Sequence, residues 1–372
     1  MIPSLYYHLV YLIFVTLLSV MTLYKYGFYT QSKLARAETH RFDGSFIIVL
    51  VLVLFIGLRN PYSIIFQDTK WYTWFYEHHF GDLYVWNWDV TQGNFLWSNI
   101  YYGMAGARIP LVYFYILIAF IYYGCIWWSC RRLFPNDTLT TFVIYLAAFS
   151  TYSYSVNGIK AGAAMAFFLM ALAMYKGKKI LWMILFLFLS HSFHHSMIMP
   201  VAAFIVCYFY KNPKVYLAFW FVCFIMAALH ITALQELFAN IAMDVDEKAV
   251  GYLLTEGLGY QKLDFMGGFR LDFILYGFMP ILLGWFAVYQ KNIKSDVYIF
   301  MLNLYTLTNA MWLLCMYASY TNRIAYLSWG LYPIVLVYPL LKEKWGAEQY
   351  KIFKWVAYAH LGFTLFMNFI YD

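Results

Sequence analysis

Charged residues are scarce in this chain. Only 12% of its 372 residues are Asp, Glu, Lys or Arg, whereas roughly a quarter of the residues in a soluble domain are charged. Hydrophobic residues account for 64% of the chain. A helix that spans a bilayer needs about 20 apolar residues, so the length allows about a dozen spans joined by loops. The composition argues against a soluble enzyme and predicts an all-α polytopic membrane protein, with residues 1–372 forming a single membrane domain.

Other signals are missing as well. The five cysteines form no CxxC pair and no metal-ligand spacing, so we expect free thiols and no bound metal. The first apolar segment, Ser4 to Tyr24, lacks a basic leader and a small-residue cleavage site, which indicates a retained helix and not a signal peptide. The formal net charge of +7 is typical of membrane proteins with basic cytoplasmic loops and does not predict a nucleic-acid partner.

Apolar runs bounded by charged residues or by Pro and Gly recur along the chain. They predict twelve helices, near residues 4–24, 45–58, 109–129, 139–156, 160–175, 180–193, 197–210, 215–235, 270–289, 297–318, 324–341 and 352–371. Several runs are shorter than about 17 residues, so their helices must include flanking polar residues or lie buried in the bundle.

The distribution of basic residues orients the predicted bundle. When the loops are divided alternately, 17 of the 25 Lys and Arg fall in one set and the remaining eight in the other. The positive-inside rule places the richer set in the cytoplasm and both termini outside. This orientation places two larger loops on the extracytoplasmic side, at about 59–108 and 236–269. A full span at 95–107 would reverse every later loop, so we interpret that segment as an interfacial or half-inserted helix.

Four of the eight outer cations lie at predicted helix ends. They are Arg59, Lys160, Arg270 and Arg323. Such charges at a membrane face are costly unless they are paired or functional. They can snorkel to lipid headgroups or pair with acids such as Asp272. Together they can also clamp a phosphate or pyrophosphate, because guanidinium forks bind its oxygens bidentately and ammonium groups add charge.

Three histidines lie at the outer end of the sixth predicted helix, in SHSFHHSMIMP. His191 shares a helical face with His194 or His195, which is a spacing open to a metal pair, although no carboxylate lies nearby in sequence. Alternatively, the histidines are hydrogen-bonded within the helix end. A third interpretation makes His194 a general base, because imidazole titrates near neutral pH and can take a proton from a sugar hydroxyl.

The first outer loop combines an acid with a dense aromatic run. Asp68 and Tyr72 lie in QDTKWYTWFYEHHFGD, a composition suited to stacking on sugar rings and hydrogen-bonding their hydroxyls. An interfacial aromatic belt explains the rings equally well. Asp68 can orient a hydroxyl, assist His194, or pair with Lys70 or Arg59.

Five short elements occur in a definite order along the chain. They are Gly57 and Arg59 followed by Asp68 and Tyr72; Asn157-Gly158-Ile159-Lys160-Ala161-Gly162; Phe193-His194-His195-Ser196; Arg270-Leu271-Asp272-Phe273; and Arg323-Ile324 with Tyr326. In order and spacing they resemble the EpsG-type exopolysaccharide polymerases, which are functionally akin to the Wzy polymerases of O-antigen and capsule. Lys160 and Ala161 stand where the family usually has Arg and Gln, so position 160 keeps its charge without the guanidinium fork.

The resemblance implies a glycosyltransferase of the bacterial cytoplasmic membrane. Its substrates would be undecaprenyl-pyrophosphate-linked oligosaccharides, polymerised at the outer face without a cofactor, with membrane lipids, a flippase and a chain-length regulator as partners. A hydroxyl of one repeat unit would attack the anomeric carbon of another and expel undecaprenyl pyrophosphate. The implied assignments are Arg59, Lys160, Arg270 and Arg323 for pyrophosphate; His194 for the base, with Asp68 second; and Tyr72, Asn157, Ser196 and Asp272 for substrate binding.

Three other functions fit some of the same residues. A membrane O-acyltransferase of glycans also needs an intramembrane histidine, but its acyl donor usually comes from the cytoplasmic side. A transporter or flippase of lipid-linked sugars needs the cations and no base. A glycosyltransferase that uses a monosaccharide polyprenyl phosphate would need an outer Asp to ligate a metal.

Overall fold

The computed structural model describes residues 2–24, 26, 43–78, 86–90, 93–231, 268–318 and 321–371. Within these ranges the chain forms helices and turns and no β-strand, as the all-α prediction requires. Six helical segments of this part are long and apolar enough to cross a membrane: Ser4–Tyr24, Leu111–Leu133, Ile159–Lys176, Leu271–Gln290, Asp296–Leu314 and Thr321–Lys342. Four shorter apolar helices accompany them. The chain is therefore a multi-pass membrane protein.

The helices are numbered in chain order. The first nine are α1 (Tyr7–Tyr24), α2 (Ser45–Gly57), α3 (Gln67–His78), α4 (Phe95–Gly106), α5 (Leu111–Leu133), α6 (Thr138–Leu146), α7 (Thr151–Val156), α8 (Ile159–Lys176) and α9 (Ile180–Phe193). After a 3-10 turn at His195–Met197 follow α10 (Ile198–Phe209), α11 (Pro213–Ala228), α12 (Leu271–Trp285), α13 (Asp296–Leu314), α14 (Thr321–Trp329), α15 (Tyr332–Lys342) and α16 (Gln349–Tyr371). They group into two compact units, Met1–Met197 with Leu340–Asp372 and Ile198–Pro339.

The first unit is built around α5 and α8. Helix α5 packs against α2 and α8, α8 packs against α9, and α1 packs against α6 and α16. Small residues line much of α8, which lets neighbouring backbones approach closely. A Cβ atom at Gly162 would lie 2.5 Å from the carbonyl oxygen of Tyr154 and 3.2 Å from the ring of Tyr122. Only glycine fits at that position.

The apolar run at 139–156 forms two helices instead of the single predicted one. Helix α6 ends at Leu146 and α7 begins at Thr151, whose hydroxyl donates to the carbonyl of Tyr145 at 2.7 Å. Such local side-chain bonds compete with the helical ladder. Side chains from distant helices reach the carbonyls near the break: Tyr11 to Leu146 at 2.8 Å, Thr364 to Ala147 at 2.7 Å and His360 to Ile144 at 3.2 Å. These bonds provide the partners that buried backbone carbonyls require where the helical ladder is interrupted.

In the second unit α13 packs against α10, α11, α12 and α14. Its buried Asn309 accepts a hydrogen bond from the indole of Trp220 at 2.8 Å and donates to Ser328 at 3.1 Å. One amide therefore links α11, α13 and α14. Gly277 on α12 allows close approach, because a Cβ atom there would lie 2.7 Å from the amide nitrogen of Asn309.

The loop predicted at 59–108 contains two helices. Helix α4 coincides with the segment that we interpreted as helical, whereas α3 was not predicted, because its alternating polar and aromatic residues show no apolar run. The apolar run at 324–341 is interrupted at Gly330 and Leu331, between α14 and α15. Most of the predicted loop at 236–269 lies outside the described residues. The total of twelve spans and the sidedness of the loops stay predictions.

Candidate functional site

The residues predicted for the site fall into two groups, one in each unit. The first unit holds Arg59, Asp68, Tyr72, Asn157, Lys160, His194 and Ser196, and the second holds Arg270, Asp272 and Arg323. The two groups are described separately.

Arg59 joins three segments of the first unit. Its side chain is buried, and one terminal nitrogen donates to the carbonyl of Ile56 at 2.7 Å. The other donates to the hydroxyl of Thr69 at 2.8 Å and to the carbonyl of Val156 at 3.3 Å. Thr69 also donates to Val156. The end of α2, the first turn of α3 and the residue preceding Asn157 are therefore tied together by one guanidinium.

The charge of Arg59 is compensated by dipoles and rings. No carboxylate forms an ion pair with Arg59 among the residues that the structure describes. The carbonyls of Ile56 and Val156 belong to the C-terminal ends of α2 and α7, where helix dipoles favour cations. The guanidinium carbon lies 4.4 Å from the ring centroid of Tyr115 and 5.9 Å from that of Phe66, within cation–π range. The Nε donor is buried and has no hydrogen-bond partner in the described chain.

Helix α3 presents Asp68 and Tyr72. It is anchored by Tyr76, whose buried hydroxyl donates to the carbonyl of Ile109 at 2.7 Å. Burial raises the pKa of Tyr76 to about 12, so this hydroxyl keeps its proton at neutral pH. Asp68 lies in the first turn of α3, where the helix dipole favours an anion, and both Asp68 and Tyr72 are partly exposed.

Trp97 on α4 is the centre of the first group, and nothing in the sequence singled it out. Its indole is buried, and Tyr72 packs edge-on against it with 5.4 Å between centroids. The ammonium of Lys160 lies 5.9 Å from the ring centroid, and Phe193 packs against it at 6.2 Å. Elements from α3, α8 and α9 that are far apart in sequence therefore meet at one ring.

The junction between α7 and α8 carries Asn157 and Lys160. A Cβ atom at Gly158 would lie 2.6 Å from the ring of Tyr154, so glycine is needed for this tight turn. The side-chain oxygen of Asn157 is buried and accepts no hydrogen bond from the described residues. Lys160 is partly exposed in the first turn of α8. This junction presents an unused acceptor and a cation on adjacent turns.

His194 terminates α9 in an extended conformation. Its backbone N–H donates to the carbonyl of Ser190 at 3.2 Å. Its ring Nδ1 lies 3.1 Å from the backbone nitrogen of Ser196, which donates to it, and 2.6 Å from the Ser196 hydroxyl oxygen. The histidine and serine of the F-H-x-S element therefore form one hydrogen-bonded turn.

The other two histidines pair with each other. The ring centroids of His191 and His195 are 5.1 Å apart, and the backbone of His195 donates to the side-chain oxygen of Asn94 at 2.8 Å. Asn94 precedes α4, so this bond ties the end of α9 to the helix that carries Trp97. Across the described ranges no three His, Cys, Asp or Glu side chains come together as a potential metal site.

The Arg270-Leu271-Asp272-Phe273 element forms a compact group at the start of α12. Arg270 donates from Nε to one carboxylate oxygen of Asp272 at 2.9 Å and from a terminal nitrogen to the other at 2.7 Å. Its guanidinium also stacks on Phe273, 3.8 Å from the ring centroid. Pairing of Arg270 with Asp272 was one of the alternatives left open by the sequence, and the structure contains it.

Arg323 lies at the same end of the second unit. It is exposed in the first turn of α14, the helix that follows the C-terminal end of α13 in the chain. The backbone N–H of Arg270 lies 3.4 Å from the sulfur of Met316, just beyond α13. Thr321, two residues before Arg323, accepts a hydrogen bond from Trp312 at 2.9 Å. Both predicted cations of this unit therefore flank one turn.

The fold and these two groups define a multi-pass helical membrane protein with cations and polar groups gathered at helix ends. The chain belongs to the EpsG family, whose model matches residues 45–372. That range includes all five of the short sequence elements. No curated protein and no solved structure matches the chain.

Proposed function

We propose that this chain is a polysaccharide polymerase of the bacterial cytoplasmic membrane. Its substrates are undecaprenyl-pyrophosphate-linked oligosaccharide repeat units, which it joins at the outer face into O-antigen, capsule or exopolysaccharide. The observation that supports this most strongly is the convergence on Trp97 of Tyr72, Lys160 and the helix end that carries His194. An aromatic surface, a cation and a titratable group suit a sugar carried on pyrophosphate.

In the proposed reaction an acceptor hydroxyl attacks the anomeric carbon of a second repeat unit. A new C–O bond forms, the bond from carbon to the pyrophosphate oxygen breaks, and the leaving oxygen keeps the electron pair. The proton of the hydroxyl passes to a base, for which His194 and Asp68 are the two candidates. Cations that stabilise the charge on the leaving group lower the barrier.

The cations have different roles in this proposal. Lys160 binds the pyrophosphate in the first unit, and in the second unit Arg270 and Arg323 each offer a cation for phosphate oxygens. Arg59 is a positioning residue, because both of its terminal nitrogens donate to protein acceptors and hold the segment that precedes Lys160. Asp272 orients Arg270 through its bidentate contact.

The remaining polar groups bind the sugars. Tyr72 offers a ring for stacking, Asn157 a buried acceptor for a hydroxyl, and Ser196 a group beside His194. No step in this scheme requires a metal or a cofactor, because pyrophosphate is already a good leaving group.

The test is reconstitution of the purified protein in sealed lipid vesicles with a lipid-linked repeat unit, followed by separation of the products by size. We expect a ladder of multiples of the repeat. Lys160→Gln should abolish the ladder, whereas Lys178→Gln, an exposed lysine at the other end of α8, should preserve it. Acylated repeat units would indicate an acyltransferase. Movement of the intact lipid-linked substrate across vesicles without a ladder would indicate a flippase, and either result would refute the proposal.

A further inference from the structure

The hydrogen bonds of His194 determine which ring nitrogen carries the proton. A backbone N–H can only donate, and that of Ser196 points at Nδ1 from 3.1 Å. Nδ1 must therefore be an acceptor with a lone pair. In the neutral imidazole one nitrogen accepts and the other carries the proton, so the proton lies on Nε2.

The local chain conformation supports this assignment. His194 is extended and precedes the 3-10 turn at His195–Met197, which is the position of an N-cap residue. An N-cap side chain accepts a hydrogen bond from the backbone N–H two or three residues later. Nδ1 makes that bond to Ser196, and the Ser196 hydroxyl 2.6 Å away can donate to the same nitrogen. A proton on Nδ1 would face the Ser196 N–H and break the cap.

A base at this position would need a different tautomer. If Nε2 accepted the proton of a sugar hydroxyl, Nδ1 would have to carry a proton beforehand, and the cap would be lost. Proton transfer to Nδ1 itself would have to displace both Ser196 donors. Neither route agrees with the observed turn.

We infer that His194 acts as a hydrogen-bond donor through Nε2–H, and that Ser196 is the positioning residue that fixes this tautomer. This inference rests on the proposed function for its ligand, which is an oxygen of the pyrophosphate that leaves from the anomeric carbon. The proton of the attacking hydroxyl then passes to the carboxylate of Asp68. The residue before His194, Phe193, and the residue four positions after Asp68 on α3, Tyr72, both pack against Trp97.

The tautomer can be measured without an activity assay. Protein labelled with ¹⁵N-histidine contains nine histidines, and the His194 signals are those absent from the His194→Asn variant. We expect solid-state NMR at neutral pH to show an unprotonated Nδ1 and a protonated Nε2. The opposite tautomer would overturn the inference. If wild-type protein produced no ladder but showed this tautomer, the polymerase proposal would fail and the assignment of the proton would stand.

Two amide substitutions test the donor role. Gln places its NH₂ group near the position of Nε2–H, whereas Asn places its oxygen near Nδ1 and keeps the cap, and neither amide is a base at neutral pH. His194→Gln should therefore retain turnover within about tenfold of wild type, and His194→Asn should lose a further tenfold to hundredfold, about the value of one hydrogen bond to a charged group. Thermal unfolding of both variants reports on the cap separately.

The other outcomes contradict the inference. Equal and large losses in both variants would identify His194 as a base. Normal activity in both would remove it from the reaction. Activity in the Asn variant with loss in the Gln variant would reduce His194 to a structural cap.

Discussion

Arg59 shows how a buried cation is stabilised without a carboxylate in the part of the chain that the structure describes. The guanidinium fork reaches acceptors on α2, α3 and the end of α7 at once. Two of these acceptors are carbonyls at helix C-termini, where the dipole is negative. An ammonium is a point charge on a flexible stem and cannot reproduce this planar geometry.

Replacing Arg59 with Lys should therefore destabilise the protein. Loss of one or two hydrogen bonds to a charged group corresponds to about 1.5 to 3 kcal/mol or more, which thermal unfolding in detergent can detect. Arg108→Lys is the matched control, because Arg108 is exposed, and its unfolding temperature should not change. If Arg59→Lys were as stable as wild type but made no polymer, Arg59 would act on substrate directly and not as a positioning residue.

The packing of Trp97 should contribute more to the stability of the protein than that of any exposed tryptophan of this region. Its ring contacts Tyr72, Lys160 and Phe193, so Trp97→Ala should cost about 3 to 5 kcal/mol. Trp88→Ala is the control, because that side chain is 73% exposed and its loss should change stability by less than about 0.5 kcal/mol. Equal unfolding temperatures for the two variants would show that Trp97 does not organise the site.

Candidate site residues could be proposed from the sequence where a charge or a motif marked them. Arg59 and Lys160 stood out because cations are unfavourable at a membrane face. Trp97 could not be found in the same way, since it is one of 14 tryptophans and lies in an apolar helix like several others. Its importance comes from contacts with α3, α8 and α9, which no local pattern encodes.

At the scale of elements, the break between α6 and α7 explains why apolar runs predict helices better than they predict helix ends. The run at 139–156 is apolar throughout, so it reads as one span. The carbonyls near the break accept hydrogen bonds from side chains such as those of Tyr11 and Thr364, which lie more than a hundred residues away in sequence. Because these partners are so distant in sequence, the apolar run alone cannot predict where the helix breaks.

Tyr11→Phe should destabilise the protein at the break between α6 and α7. The substitution keeps the ring and removes the hydroxyl, leaving the carbonyl of Leu146 without its donor at a cost of about 1 to 3 kcal/mol. Tyr6→Phe, at a half-exposed position on the same N-terminal segment, is the control and should have no effect. Thermal unfolding and hydrogen exchange in α6 would both report the change. A stability of Tyr11→Phe equal to wild type would mean that water or another group satisfies Leu146.

At the scale of the whole molecule, the predicted sidedness would assign the two ends of α8, in the first unit, to opposite faces of the membrane. Helix α8 begins at Ile159, the residue before Lys160, and ends at Lys176, and its 18 residues at 1.5 Å each make about 27 Å, close to the thickness of the hydrocarbon core. Lys176 donates to the carbonyls of Arg132 and Leu133 at the end of α5. The basic loops after α5 and α8 therefore share one end, and the candidate site lies at the other.

Cysteine labelling tests this orientation directly. In a background without native cysteines, Asp89→Cys should react with a membrane-impermeant thiol reagent added outside intact cells, whereas Lys178→Cys should react only after the membrane is opened. Both positions are exposed in the structure, so a difference in labelling reflects the side of the membrane and not burial. The expectation follows from the 17 basic residues of one set of loops against eight in the other, because positively charged loops stay in the cytoplasm. Labelling of Lys178→Cys from outside, with Asp89→Cys protected, would place Trp97 and His194 on the cytoplasmic side. Polymerisation of a lipid-linked glycan at the outer face would then be impossible for this site.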